Sequence, residues 1–198
     1  MLNLKEISKM KVNSVKQLFD AKWIGLYSAN YTHKGKTSEW VFASRNKDVD
    51  ASPAEKGDAV VVVASYKKNL FSKRRYIITK KFRVPIRDYE YGFPAGLIDD
   101  GEDPIKASIR ELKEETGFLV DKIYKVSPPI FSSGGFSDEA VHMVFVSCFG
   151  DIRVTPELGD AEDIKTLLLT KKELKALFLN KDAKWGCRPW CLLQGWLG

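Results

Sequence analysis

Short apolar and β-branched runs separated by polar turns dominate the chain, a pattern typical of strands. AKWIGLYSANY at 21–31 and SEWVFASR at 38–45 flank a His-Lys-Gly-Lys turn and predict a two-stranded hairpin. AVVVVAS at 59–65 is apolar throughout and predicts a strand buried on both faces. RYIITKKFRVP predicts the next strand, which Pro85 ends because proline has no N–H to donate. The first twenty residues show only weak patterning, and their structure is left open.

An amphipathic helix follows these strands. Asp103 suits the N-cap, Pro104 the first helical position and Gly117 the end of the helix. Ile105, Ile109 and Leu112 have the i, i+4, i+7 spacing of one buried stripe. Further along, IYKV, AVHMVFVSCF and DIKTLLL predict strands, and LTKKELKALFL predicts a second helix. Strands, helix, strands, helix is the order of an α+β fold.

The tail DAKWGCRPWCLLQGWLG contains three of the five tryptophans. A segment this apolar is expected to dock on the domain or on a second subunit, because so dense an apolar surface seldom stays exposed. Pro189 is expected to kink any helix there.

Composition narrows the class of protein. The 198 residues are 44% hydrophobic and 29% charged, which is ordinary for a globular protein. Neither a membrane span nor a signal peptide is indicated, so we expect a cytoplasmic protein that does not bind membranes. The net charge of +6 is spread diffusely, and no basic motif with interleaved aromatics favours nucleic acid. The three cysteines form no metal-binding pattern.

The helix is also unusually acidic. Glu111, Glu114 and Glu115 lie three and four residues apart, so their carboxylates are expected to converge on one face. Such like charges repel, and a hard cation such as Mg²⁺, which prefers oxygen ligands, would relieve the repulsion. Arg110 and Glu102 supply an opposite-charge pair that could tie the preceding loop to the helix. The alternative is an acidic helix that is simply solvated.

The stretch from 96 to 118 consists of Gly96, five residues, Glu102, seven residues and then Arg110-Glu111-Leu112-Lys113-Glu114-Glu115-Thr116-Gly117-Phe118. This stretch is similar to the Nudix box at every defined position. This resemblance implies an α/β/α sandwich with mixed sheets, preceded by an N-terminal antiparallel hairpin arm. The arm is expected at 1–57, as a dimerisation and base-binding element, and the Nudix hydrolase domain at 58–198.

The flanking motifs FPAGLIDDGE, KKFRVP and GDAEDI resemble the ADP-sugar pyrophosphatase branch of this superfamily. That resemblance implies hydrolysis of ADP-ribose to AMP and ribose 5-phosphate with Mg²⁺, which Mn²⁺ would be able to replace. It also implies a homodimer whose N-terminal hairpins exchange between subunits.

The same resemblance assigns roles to single residues. The metal would be bound by the Ala95 carbonyl, Glu111 and Glu115, with Glu114 assisting. Trp23 and Trp40 would sandwich the adenine, and Arg45 and Arg83 would contact phosphate or ribose oxygens, which suits a planar fork of donors. The catalytic base would be Glu162, with Glu139 as the competing candidate. Gly96, Glu102, Arg110 and Gly117 would be structural.

Two departures from the branch bear on the substrate. Ser133 and Gly134 stand where the branch has a proline, and Gly92 stands where it tends to have a glutamate, which Glu90 is expected to replace on the same strand face. The alternatives are therefore another diphosphate substrate, such as GDP-mannose or a dinucleotide, and a non-catalytic ADP-ribose sensor. The intact glutamate set argues against the sensor, because binding alone would not need it.

Overall fold

A computed structural model describes residues 10–47, 49, 57–69, 71–150, 157–159 and 163–197. Within these ranges the chain forms eleven strands and three α-helices, so the α+β class is confirmed. The chain divides into two compact units: Met1–Asp58 with Pro129–Val141, and Ala59–Pro128 with His142–Gly198.

The first unit contains a three-stranded antiparallel sheet in the order β1-β2-β3. Its strands are β1 (Lys11–Asp20), β2 (Gly25–His33) and β3 (Lys36–Ser44). The predicted hairpin is confirmed as β2 and β3, and its turn places Lys34 and Gly35 at φ of 49° and 74°, as a tight hairpin turn requires. Strand β1 escaped prediction because nearly all its side chains are exposed, so no alternation marks it.

The second unit is built on a larger, mixed sheet with the strand order β11-β5-β4-β10-β8, which β6 and β7 extend by pairing with β5 and β4. The two-residue strand β9 pairs with the first residues of β10 and belongs to the first unit. The bounds are β4 (Ala59–Tyr66), β5 (Arg75–Arg83), β6 (Asp88–Gly92), β7 (Ala95–Leu97), β8 (Leu119–Val126), β9 (Ile130–Phe131), β10 (Ala140–Phe149) and β11 (Ile164–Thr170).

The core of the second unit lies around strand β4. Val60 and Val62 are fully buried, and Val61 and Ala64 are nearly so, which confirms the prediction of a strand covered on both faces. Strand β5 ends at Arg83, and a single 3-10 turn at Val84–Ile86 follows it.

Helix α1 (Pro104–Thr116) packs on this sheet. Its predicted ends are confirmed: the Asp103 side chain accepts hydrogen bonds from the amides of Ile105 (2.9 Å) and Lys106 (3.0 Å), and Gly117 has φ of 72°. The predicted buried stripe is wrong in part, because Ile105 and Ile109 are 42% and 41% exposed.

The stripe that α1 buries is Ser108, Leu112 and Glu115, also at i, i+4, i+7. The small side chains of Ser108 and of its neighbour Ala107, both fully buried, let the helix approach the sheet closely. Glu115 lies on the buried face because it has a buried partner, the ammonium of Lys81. A prediction from hydrophobic spacing alone therefore placed the buried face of helix α1 at the wrong rotation about the helix axis.

The C-terminal helices also belong to the second unit. Helix α2 (Lys171–Phe178) begins with a capping box formed by Thr170 and Glu173. Helix α3 (Cys187–Leu197) docks the tail on the domain through the buried Leu193 and Leu197. The expectation that Pro189 kinks this helix is wrong, because Pro189 lies in the first turn, where its missing N–H is not needed. No helix in the described ranges is long and apolar enough to cross a membrane.

Candidate active site

The centre of the candidate site is a buried ion pair between helix α1 and strand β5. Glu115 and Lys81 are only 4% and 6% exposed, and the Lys81 ammonium contacts Glu115 Oε1. Lys81 Nζ also donates to the Ala95 carbonyl at 3.0 Å, and the Ala95 amide donates to Glu115 Oε2 at 3.4 Å. Burial raises the pKa of the Glu115 carboxyl to about 7, although the Lys81 charge opposes this.

Glu111 lies directly against strand β7. A Cβ atom at Gly96 would lie 2.0 Å from both Cδ and Oε1 of Glu111, far inside contact distance. A glycine at position 96 is therefore what allows this carboxylate to touch the strand backbone. Burial raises the pKa of the Glu111 carboxyl, against the opposing effect of Arg110.

Arg110 ties the loop before the helix to the acidic face. It holds Glu102 through two hydrogen bonds, Nε to Oε1 at 3.1 Å and Nη2 to Oε2 at 2.8 Å, which confirms the predicted pair. Nη1 contacts Glu111 at 2.7 Å and Glu114 at 3.3 Å, and Nη2 also donates to the Leu97 carbonyl at 2.8 Å. The position of Glu111 is thus fixed from two sides, by Arg110 and by the Gly96 backbone.

The expected convergence of all three helix glutamates is wrong. Glu115 turns into the core and Glu111 onto strand β7, whereas the Glu114 side chain is 38% exposed beside Arg110. Within the described part of the chain, no three acidic, histidine or cysteine side chains are grouped as a metal site. The carboxylates of Glu111 and Glu115 and the carbonyl of Ala95 lie together instead. They are linked through Lys81 and helix α1.

This smaller donor set still suits a magnesium ion. Mg²⁺ in phosphate-handling sites is usually held by one or two carboxylates and completes its shell with waters and substrate oxygens. All the donors are hard oxygens, which Mg²⁺ prefers as ligands. The residues present therefore fit the predicted metal.

The acidic loop is described only at its two ends, and the predicted base Glu162 lies outside the described residues. At one end, the Glu157 amide donates to the Glu114 carbonyl at 2.8 Å, and Lys113 pairs with the Glu157 carboxylate at 3.2 Å. At the other end, the Asp163 carbonyl accepts from the Phe82 amide at 3.0 Å. Both ends are thus fastened to the elements that carry Glu115 and Lys81.

In the first unit, three of the predicted residues are linked. Arg45 donates from Nη1 to the Trp23 carbonyl at 3.3 Å and from Nε to Glu139 Oε2 at 3.2 Å. Ser132 donates to the other oxygen of Glu139 at 2.7 Å. Trp23 is 65% exposed. Trp40 is 50% exposed, and its indole N–H donates to the Gly135 carbonyl at 3.3 Å. Neither tryptophan fills the core of its unit.

Arg83 lies in the second unit, at the end of strand β5. Its Nε pairs with Glu90 Oε2 at 2.9 Å, and half of its side chain is exposed. Glu90 is the residue expected to replace the glutamate missing at Gly92.

Lys81 is the residue that sequence reasoning missed, because it reads as one of many surface lysines. A signal was present in the alternation of strand β5. Lys81 shares its phase with Ile77 and Thr79, which are both fully buried, and successive side chains of a strand point to opposite faces. A lysine on the buried phase requires a buried acidic partner.

Comparison with known proteins shows to which class of protein this chain belongs. The NUDIX domain matches residues 55–191, and the chain belongs to this family. It is an enzyme of the Nudix hydrolase class.

Two relatives match most of the chain. A Caenorhabditis elegans protein named "Putative nudix hydrolase 2" is 34% identical over 175 residues, which cover 84% of this chain and 74% of that protein. The ADP-sugar pyrophosphatase of Mus musculus is 32% identical over 171 residues, covering 84% and 76%. A crystal structure of an ADP compounds hydrolase superposes with a TM-score of 0.69 at 18% identity, over 96% of this chain and 94% of that one, and supports the fold alone.

Proposed function

We propose that this enzyme hydrolyses the diphosphate bond of nucleoside diphosphate sugars in a Mg²⁺-dependent reaction, with ADP-ribose cleaved to AMP and ribose 5-phosphate. The observation that carries the proposal is the set of oxygen donors from Glu111, Glu115 and Ala95, held in place by Arg110 and Lys81. The substrate class is supported by the name of the mouse relative, an ADP-sugar pyrophosphatase.

Glu111, Glu115 and the Ala95 carbonyl would hold the metal, with Glu114 assisting from the rim. A bound divalent ion supplies Lewis-acid stabilisation of the charge that develops on the diphosphate and activates water as the nucleophile. The protein residues supply position: Arg110 fixes Glu111, and Gly96 keeps the backbone clear for its carboxylate. Preorganised groups of this kind avoid a reorganisation cost during the reaction.

Trp23 and Trp40 would bind the base, because an exposed indole presents a flat apolar face on which adenine can stack. Arg45 and Arg83 would contact phosphate or ribose oxygens after exchanging their present carboxylate partners for substrate. For the base we favour Glu162 over Glu139, because Glu162 stands where the resembled branch has such a group, and the Ser132 hydroxyl already holds one oxygen of Glu139 at 2.7 Å.

We also propose that the protein is a cytoplasmic homodimer that binds neither nucleic acid nor membranes. The arm at 1–57 would form the interface, which the exposed apolar side chains of Val12, Phe19 and Val41 support. Sedimentation equilibrium of the purified chain tests this part, and a monomer at micromolar concentration would exclude it.

The substrate is tested with a panel of nucleotide sugars, dinucleotides and nucleoside triphosphates, each incubated with Mg²⁺ or with EDTA, and with the products identified by mass spectrometry. We expect AMP and ribose 5-phosphate from ADP-ribose, and no product in EDTA. Binding of ADP-ribose without cleavage of any diphosphate would support the sensor instead. Cleavage of triphosphates alone would exclude the proposed substrate class.

The metal ligands are tested by Glu115→Gln, which keeps the shape of the side chain and removes its charge. We expect kcat to fall at least about 100-fold, because metal stabilisation is worth several kcal/mol and each 1.4 kcal/mol is tenfold in rate. Asp121→Asn is the matched control, since Asp121 is exposed on strand β8 and bonds only to Ser147 among the contacts described. Wild-type turnover in Glu115→Gln would remove Glu115 from the metal site.

A further inference from the structure

The Lys81 ammonium binds the same oxygens that the proposed metal requires. It contacts Glu115 Oε1 and lies 3.0 Å from the Ala95 carbonyl oxygen. Its side chain is 8% exposed and that of Glu115 is 5% exposed, so this is a buried pair and not a surface contact. Two of the three proposed metal ligands therefore already share a cation that belongs to the protein.

We propose that Lys81 is a built-in competitor of the divalent ion, which must displace the ammonium from Glu115 and the Ala95 carbonyl in order to bind there. The inference rests on the proposed function, since it concerns the metal that this function requires. Lys81 would act as a positioning residue that sets how tightly the site holds its metal.

Sharing these oxygens between both cations is unfavourable. Mg²⁺ binds its oxygen ligands at about 2.0–2.1 Å, and an ammonium hydrogen-bonded to the same oxygens would lie only a few ångströms from the ion. The repulsion between them is weakly screened in a buried site. The lysine side chain can yield because its ammonium sits on a flexible four-carbon stem.

Without metal, the pair is needed for a different reason. A buried carboxylate that lacks a partner is strongly unfavourable, and Lys81 provides that partner together with the Ala95 amide. Glu111 is held separately, by Arg110 at 2.7 Å. Glu111 therefore keeps its own charged partner whether or not Lys81 leaves.

The test compares Mn²⁺ binding to the full chain and to Lys81→Gln, with free Mn²⁺ measured by electron paramagnetic resonance. We expect Lys81→Gln to bind Mn²⁺ about 10-fold to 100-fold more tightly, because no charge-assisted hydrogen bond has to be broken. In EDTA the same variant should unfold at a lower temperature than the wild type, and it should gain more from added Mn²⁺.

Lys80→Gln is the matched control. It removes the same charge one residue away, but Lys80 lies over the rings of Tyr89 and Tyr91, at 4.6 and 5.5 Å, and not at the carboxylates. Its Mn²⁺ affinity should stay within about twofold of the wild type, because a screened charge at this distance contributes little. An equal gain in Mn²⁺ affinity in both variants would show that only the net charge of the protein matters, and it would overturn the inference.

A measurement on the wild type keeps the inference testable should Lys81→Gln fail to fold. Spectra selective for lysine ammonium groups should show a protected Lys81 signal in EDTA that is lost or strongly shifted at saturating Mg²⁺. An unchanged signal would overturn the inference, as would equal or weaker Mn²⁺ binding by Lys81→Gln.

Failure of the inference is distinguishable from failure of the proposed function. A wild type that hydrolyses ADP-ribose, with a Lys81→Gln variant whose affinity is unchanged, removes only the competition. Absence of Mn²⁺ binding in both proteins removes the competition and the metal-dependent function together.

Discussion

Replacing Gly96 with alanine tests whether contact between strand β7 and Glu111 sets the geometry of the site. The added Cβ would lie 2.0 Å from Cδ and Oε1 of Glu111 and 2.2 Å from Oε2. Ordinary contact begins at 3.4 Å, so the carboxylate must move by about 1.4 Å. That movement pulls Glu111 from its place beside Arg110.

The cost to stability should be small, because the clashing atoms are the end of a flexible side chain. A charge-assisted hydrogen bond is worth about 1.5–3 kcal/mol, and partial exposure reduces that to about 1 kcal/mol here. For a chain of this size such a loss lowers the melting temperature by about 2–4 °C. Activity should suffer far more, since a misplacement of about 1 Å at a reacting centre costs about 100-fold.

The assay measures kcat/KM for ADP-ribose with Mg²⁺, together with thermal unfolding. Gly195→Ala is the control: it adds the same methyl group inside helix α3, where no atom other than those of the adjacent helix backbone and chain neighbours lies within 4 Å of the added Cβ. This control should keep full activity and gain about 0.5–1 kcal/mol. Wild-type kcat/KM in Gly96→Ala would refute the reasoning, because it would show that the position of Glu111 does not matter.

Three further predictions concern other parts of the chain. Asp103→Ala removes the cap of helix α1 and should cost about 1 kcal/mol, seen as a melting temperature about 2–4 °C lower; an unchanged melt would contradict the capping role. Burial raises the pKa of the Cys148 thiol to about 12, so at pH 8 a thiol reagent should react quickly with the exposed Cys187 and Cys191 only, and with Cys148 after denaturation. Three fast thiols in the native protein would disprove this burial. Trp40→Ala should raise KM for ADP-ribose about tenfold or more, since stacking on a base is worth about 1–3 kcal/mol, whereas Trp40→Phe should largely preserve KM; equal KM values in all three proteins would exclude stacking.

Much of the fold could be predicted from the sequence where local rules apply. The ends of helix α1 follow from Asp103, Pro104 and Gly117, whose preferences depend only on neighbouring residues. Strand β4 follows from a continuous apolar run. Strand β1 does not, because an exposed strand is stabilised by backbone hydrogen bonds to β2 and leaves no pattern in its side chains.

The candidate site likewise has one part that local sequence predicts and another that it does not. The Nudix box by itself determined that Arg110 binds Glu102 and that helix α1 is the acidic element, since these residues lie within eight positions of each other. Only the tertiary structure decided which glutamate is buried. Glu115 turns inward because Lys81, 34 residues away, meets it there, and a contact over such a separation depends on how strand and helix pack. For the same reason Ile109 lies partly in solvent while Ser108 is buried: the periodicity of a helix defines a stripe, but its neighbours choose the direction in which that stripe points.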